Sequence, residues 1–402
     1  MPVIEAPAPL CFATLFKTAF DGGDLRPLRD LLVAQSHANA LDRAAALMSL
    51  SVIEQILGDK AAGLARQAEA LAMHRLYQSS WPVSRNPLRV VAFKAAGDIS
   101  TNTPIEFLLE GSDVVLYSLY VVPGKPLPTV PEHDIAIFTV GESDGDRPVM
   151  REVESLIHAW PCPVLNRPAR AFRLSREGLY GLLRGIPGLA MAATARIDRA
   201  DFEKLGRGLL PLGQFLEETD FPLIARPIGS HAGLGLVKLD DRVAIAGYLA
   251  GQPDAAAFFL SPYIDYRSAD GQFRKYRLVW VDGQPYPHHM AIADQWKVWY
   301  YNVDMAGSPA KRAEEAQFMA CSDGSLLCRH EAALAETAQR LGLEYVGIDC
   351  AETPDGRLLV FEADISLVVH DMDSKDVYPY KSEPTQKVFT AFYDMLKRKS
   401  LA

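Results

Sequence analysis

The segment Tyr345–Ser366, YVGIDCAETPDGRLLVFEADIS, decides the fold. Two apolar, β-rich runs flank Asp355-Gly356, and an Asp-Gly link between alternating runs is a strong hairpin signal because both central positions take positive φ. A two-residue turn there sets Pro354 opposite Arg357 and, counted down the ladder, Asp349 opposite Glu362. Directly opposed residues have Cβ atoms about 4.5–5.5 Å apart, and Asp364, two positions past Glu362, projects from the same face. Three carboxylates are therefore expected to converge inside an apolar hairpin, where like charges destabilise the ladder unless a cation offsets them. A magnesium site resolves that conflict, since Mg2+ takes hard oxygen ligands, usually one or two carboxylates plus phosphates. Asp349, Glu362 and Asp364 are thus the expected metal ligands, and so small a set implies a bound polyphosphate. The competing reading is an acidic edge paired with lysines, or a turn longer by one residue that throws Asp349 out of register.

Upstream, FPLIARPIGSHAGLGLVKL (221–239) places a Gly-rich turn, Gly229-Ser230-His231-Ala232-Gly233-Leu234-Gly235, between two strands. Glycines permit the positive-φ turns and close approach with which backbone amides cradle phosphates. The stretch lacks the G-K-[ST] ending of a P-loop, and strand-loop-strand is the wrong setting for a dinucleotide turn. A β-hairpin lid over a nucleotide fits better, although a plain structural hairpin is the commoner use of such a turn. Arg226, an inward cation on the entering strand, requires an anionic partner. A second Asp-Gly link, Asp282-Gly283, joins RKYRLVWV to QPYPHHMAI and sets Arg277 opposite His288.

The 402 residues exceed what one core supports, which suggests several domains. Helical periodicity from Asp24 to about Gln78, broken at Gly58-Asp59, defines an all-helical region (1–82) whose last two helices form an alanine-rich, tetratricopeptide-like pair. SSWPVSRNP closes it, and alternating strands and helices then indicate an α/β layer with a mostly parallel sheet (83–185). Hairpins dominate 186–402. The fold class expected is α/β (α+β). A net charge of -9 without a basic block argues against nucleic acid, and the absence of an 18-residue apolar run or leader pattern argues for a soluble cytoplasmic protein without membrane partners. Five scattered cysteines lack metal-clip spacing.

Taken together, residues 160–370 resemble the ATP-grasp superfamily, in the branch of glutathione synthetase and the ribosomal-protein glutamate ligases. PVLNRP (163–168) resembles the strand ending the pre-ATP-grasp domain, and FPLIARPIGSHAGLG the "P-x-x-x-K-P…G-x-G-G" segment. FFLSPYIDYRSADGQFRKYRLVWVDGQPYP is similar to the hinge and "D-x-R-x-x-V-x-x-G" strand, and GLEYVGIDCAETPDGRLLVFEAD to the "G-x-D…E-x-N" metal hairpin. The resemblance implies ATP and Mg2+ as cofactors and γ-phosphoryl transfer to a carboxylate, giving an acyl phosphate captured by an amine nucleophile. It further implies adenine at Phe259, Leu260, Ser261 and Tyr263, ribose at Asp265, phosphates under Gly229, Ser230, His231, Gly233 and Gly235, Arg226 beside the α-phosphate, and Asn302 behind the strand. Arg277 would face the substrate carboxylate.

Three positions depart from the family: Arg226 replaces a usual lysine, Asp364 a usual asparagine, and Ile292 an arginine that faces the acyl phosphate. Lys297, or Arg274 and Lys275, could supply that charge. His288 and His289, as strand neighbours, point to opposite faces and cannot share a metal. His370, Asp371 and Asp373 could reach substrate or form a solvated loop, and Trp296, Trp299, Tyr300 and Tyr301 could wall a pocket or pack a core. The function expected is a carboxylate-amine ligase acting on an amino acid or peptide. The alternatives are a catalytically inactive nucleotide-binding scaffold and a phosphotransferase. The partners expected beyond substrate are a peptide or protein docked on the N-terminal helices and a second copy of the chain.

Overall fold

The computed structural model describes residues 6–35, 39–81, 83–109, 111–230, 233–321 and 324–401. Four helices open the chain: α1 (Phe12–Phe20), α2 (Arg26–Gln35), α3 (Ala40–Ile56) and α4 (Lys60–Met73). Asn39 caps α3 by accepting from the Asp42 N–H, and Asp59 caps α4 by accepting from the Ala62 N–H. The helix expected through Tyr77 stops at Met73, because Leu76–Gln78 forms strand β1 on an open edge of the first sheet. There its backbone gains ladder bonds that another helical turn would not give to these β-favouring residues. The helical region is thereby continuous with the sheet that follows it.

That sheet runs β1-β3-β2-β4-β5, with β2 (Leu88–Lys94), β3 (Val114–Tyr120), β4 (Ile135–Phe138) and β5 (Val164–Leu165) parallel and β1 antiparallel. Helices α5 (Ile105–Leu109) and α6 (Arg147–Ile157) lie in its crossovers. Two short helices, α7 (Pro168–Ala171) and α8 (Arg176–Leu183), lead to strand β6 (Leu189–Ala190).

The second sheet, β7-β10-β8-β9, is antiparallel and small: β7 (Ala195–Asp198), β8 (Leu223–Pro227), β9 (Val237–Leu239) and β10 (Ala257–Pro262). Its core joins Phe258 and Leu260 to Phe202 and Leu205 of α9 (Arg199–Gly206) and Ile245 of α10 (Val243–Ala250). The third sheet runs β12-β11-β13-β14-β6, built from β11 (Phe273–Val281), β12 (Gln284–Ala293), β13 (Tyr345–Glu352) and β14 (Leu358–Asp364). Helices α11 (Pro309–Met319), α12 (Leu326–Arg329), α13 (Glu331–Leu341) and the long α14 (Ser382–Lys399) accompany it. The expected mixed α/β class holds, with hairpins, among the described residues, in the second and third sheets.

Both diagnostic hairpins carry a bulge, with opposite consequences. In β13–β14 the turn is one residue longer than expected, since the Thr353 N–H donates to Arg357 O and Cys350 pairs with Val360. An extra residue at Phe361 then restores the register, so that Asp349 opposes Glu362 and Gly347 opposes Asp364. In β11–β12 the Asp282-Gly283 turn is tight, but the register slips between Arg277 and Leu278, and Arg277 faces His289 rather than His288. β12 is an edge strand, and Pro287 has no N–H to donate to the ladder, which is where bulges are tolerated.

Candidate functional site

The β11 alternation sends Lys275 and Arg277 to the face of the sheet that carries Asp349. Arg277 Nε and Nη2 donate to the two Asp349 oxygens at 2.8 and 3.0 Å, a bidentate pairing, and Lys275 Nζ lies 2.6 Å from Oδ2. Asp349 is 1% exposed. Burial opposes its charge, but Arg277 and Lys275 outweigh burial and hold the carboxyl well below the usual range. Arg277 Nη1 also donates to Val368 O at 3.3 Å, tying the loop after β14 to the same centre.

Glu362, across the ladder, receives Arg176 Nη2 at 2.7 Å. Burial again opposes ionisation, and Asp349 adds repulsion; Arg176, Lys275 and Arg226 override both and lower the pKa. Arg226, on β8 of the second sheet, is half-buried, and burial with help from Arg176 brings it down to about 10 while Glu362 pulls the other way. Two carboxylates and four cations from two sheets and a helix therefore share one field. Arg176 lies outside every motif read from the sequence, because it enters from the first turn of α8.

Around the Gly-rich hairpin, Gly229, Gly233 and Gly235 all have positive φ. At Gly235 a Cβ would stand 2.6 Å from Pro227 Cδ, so that position tolerates only glycine without a shift. Ser230 O and Oγ accept from Arg226, which orders the hairpin's entry. Lys297 crosses from the segment after β12 and donates to Leu236 O at 3.2 Å. His231 lies outside the described residues. On β10, Phe259 stands opposite Arg226 with the Arg196 guanidinium 5.0 Å from its ring, and Leu260 is core. Ser261 pairs with Ile224, and Tyr263 has Lys238 Nζ 4.7 Å over its ring and Trp296 edge-on at 5.9 Å. Asp265 is exposed and accepts from the Arg267 N–H and the Tyr263 hydroxyl.

Two expected residues, Arg274 and Asn302, stand elsewhere, while Asp364 keeps its place two positions beyond Glu362. Arg274 points to the opposite face of β11 and is held by Asp270 and Glu314. Asn302 accepts from the Trp299 N–H at 3.1 Å and closes a short turn. Asp364 accepts from the Ser366 N–H and hydroxyl at 2.9 and 2.8 Å, and among the described residues no three His, Cys, Asp or Glu side chains stand close enough to ring a metal. Asp349 and Glu362 remain as opposed hard oxygen donors, but Arg277, Lys275 and Arg176 already meet their charge, as the competing reading of a paired acidic edge expects; a Mg2+ held there would have to take its other ligands from phosphate and water.

Beside this centre lies a partly buried cluster, with His288 at its buried end, that the sequence left open. The β12 bulge brings the His288 and His289 rings to 5.2 Å, with His370 6.1 Å from His288 and Tyr300 4.8 Å from His289. The two adjacent histidines are thus not separated across the sheet as strict alternation predicts. Burial, then the neighbouring His370 for His288 and Arg277 for His289, keeps both imidazoles neutral far below their usual pKa. Ile292, opposite Arg274, is turned into the core at 1% exposure.

No family model matches the chain, and a search of curated proteins returns no match. Among solved structures the chain is similar to a RimK domain protein ATP-grasp from Sphaerobacter thermophilus, at 19% identity over 78% of this chain and 100% of that one, with a TM-score of 0.43. It is similar to the VanG D-Ala:D-Ser ligase from Enterococcus faecalis, at 11% identity over 79% and 100%, TM-score 0.45. A third is the D-cycloserine synthetase DcsG, at 12% identity over 77% and 99%, TM-score 0.43.

Proposed function

We propose that the chain is an ATP-grasp-type nucleotide-dependent enzyme. Within that class, the reading best supported is an ATP- and Mg2+-dependent carboxylate-amine ligase acting on an amino acid or peptide. The observation that carries it is the Asp349–Glu362 pair set among Arg277, Lys275, Arg176 and Arg226, with the Gly-rich hairpin joined to this field through Arg226. Phosphoryl transfer demands positioning and charge neutralisation more than covalent help, and this is a dense, pre-oriented set of charges. Mg2+, held by Asp349 and Glu362, would neutralise phosphate oxygens. Arg277 and Lys275, fixed by Asp349, would orient the acceptor carboxylate and meet the charge that develops as phosphoryl leaves ADP for that carboxylate. The amine then displaces phosphate from the acyl phosphate. Lys275 takes the part that an arginine at 292 plays in the family, because the bulge at His288 turns position 292 away from Asp349. Arg226, Lys297 and the hairpin amides would hold the phosphates, with Phe259, Ser261 and Tyr263 beside the base.

Incubation with Mg-ATP and a pool of amino acids and peptides should release ADP and phosphate, and hydroxylamine should trap a hydroxamate. Lys275→Met should lower turnover by about a hundredfold, the usual scale for losing one transition-state donor. The core position of Ile292 favours one alternative, a scaffold that binds nucleotide without chemistry. Mg-ATP binding with no hydroxamate from any candidate would select it, and unchanged Mg-ATP affinity in Asp349→Asn would sink both readings.

A further inference from the structure

A cavity of about 100 Å3 lies between the N-terminal helices and the first sheet. Its walls combine Phe12 of α1, Met48 of α3, Gln67 of α4 and Tyr77 of β1 with Lys94 and Tyr120, the last residues of β2 and β3. Both of these residues stand at the carboxyl ends of neighbouring parallel strands. None of the residues around Asp349 borders it.

Lys94 is 6% exposed, and its ammonium donates to Glu106 Oε1 at 2.5 Å; both side chains line the cavity. A buried ion pair repays its desolvation only with good geometry and further hydrogen bonds, and apolar residues often serve stability better. Lys94 has three ammonium donors, and Glu106 is its only side-chain partner among the described residues. The volume exceeds the ~10–15 Å3 that one water requires. It falls well short of the ~300–1,000 Å3 of drug-sized sites, so a ligand here has only about half a dozen heavy atoms. A small monoanion at Lys94 would leave the Glu106 charge uncompensated, and a small cation would do the same to Lys94. A zwitterion satisfies both.

We propose that this cavity is a binding site for a small α-amino acid of glycine or alanine size, its carboxylate on Lys94 and its ammonium on Glu106. The site stands apart from the nucleotide centre and does not rest on the ligase reading. Titration calorimetry of the full chain with glycine, L-alanine, acetate and methylammonium tests it. One of the amino acids should bind one per chain, and both single-charge probes at least tenfold more weakly. The double variant Lys94→Met/Glu106→Leu should lose at least tenfold in affinity. So should Ser118→Val, which fills the cavity from β3 with a residue suited to a strand and guards against a folding defect in the first variant. Asp349→Asn should bind the amino acid unchanged. The proposal is overturned if neither amino acid binds, if acetate binds as tightly, or if Ser118→Val retains binding that Asp349→Asn loses. Absence of ATP turnover alone would leave it intact.

Discussion

Lys381 is a buried cation shared by two carboxylates: its Nζ lies 3.3 Å from Glu315 and 2.8 Å from Asp373, and 4.3 Å from the ring centroids of both Tyr300 and Tyr378. Glu315 is fully buried and also accepts from the Met290 N–H and from the hydroxyls of Tyr300 and Tyr380. Burial pushes its carboxyl up, and Lys381 is the first of the groups restraining it. Lys381→Met should therefore cost roughly 3–5 kcal/mol in urea unfolding, the range for breaking a buried pair from one side. Adding Glu315→Gln should recover part of that loss; a single variant losing under about 1 kcal/mol would show that Glu315 simply takes up a proton. Such residues explain what the sequence hid. Asp349 and Glu362 were legible because both sit in one hairpin, and their counted pairing holds because a longer turn and a bulge cancel. Arg176, Glu315 and Lys381 reach their partners from segments far along the chain, where neither periodicity nor turn chemistry specifies contact.

At the scale of elements, strands joined by Asp-Gly were predictable because positive φ at Asp282 and Gly283 is written in the residue types. Their detailed register was not, because a bulge adds one residue without a composition signal of its own. In β13–β14 a longer turn and a bulge compensate, and in β11–β12 a single bulge re-aims Arg277, His288 and Ile292. The residues of β1 carry a helical signal because their apolar positions continue the spacing of α4, and the sheet edge that captures them is non-local. The Gly-rich hairpin yields an element-level test. Gly229 has φ 78° with no neighbour near a new Cβ among the described residues, whereas Gly235 has φ 65° with Pro227 at 2.6 Å. Gly229→Ala should cost about 1 kcal/mol, the left-handed penalty alone. Gly235→Ala should cost measurably more and, on the proposed function, should also weaken Mg-ATP binding. Equal thermal shifts for the two would mean that Pro227 yields without strain.

Across the whole molecule, hydrogen bonds pin the parts together: Gln67 to Gly97 joins α4 to the loop after β2, Asn166 to Tyr345 joins β5 to β13, and Thr103 Oγ1 to Ile365 O reaches the loop beyond β14. The titratable groups at and near these joints give the protein a two-stage response to acid. His288, His289 and His370 have depressed pKa values in the fold, chiefly through burial, so the unfolded chain takes up their protons first. Stability should fall as pH drops below about 6.5, the free imidazole value, because the unfolded state then binds more protons than the native one. Asp98 and Glu352 follow. Burial opposes their ionisation, but Lys60 and Ser100 bring Asp98 to about 2, and His330 and Arg329 bring Glu352 to about 2. Their stabilisation is complete above the unfolded carboxyl values near 4 and is lost between there and about 2, on the order of 2 kcal/mol each. Urea midpoints measured from pH 7.5 to 3 should therefore decline gently from about 6.5 and more steeply below about 4, with His370→Gln flattening the first limb and Asp98→Asn the second. A midpoint constant from pH 7.5 to 5 would mean that the three imidazoles are protonated in the folded protein, and that the neutral histidine cluster beside Arg277 does not exist in solution.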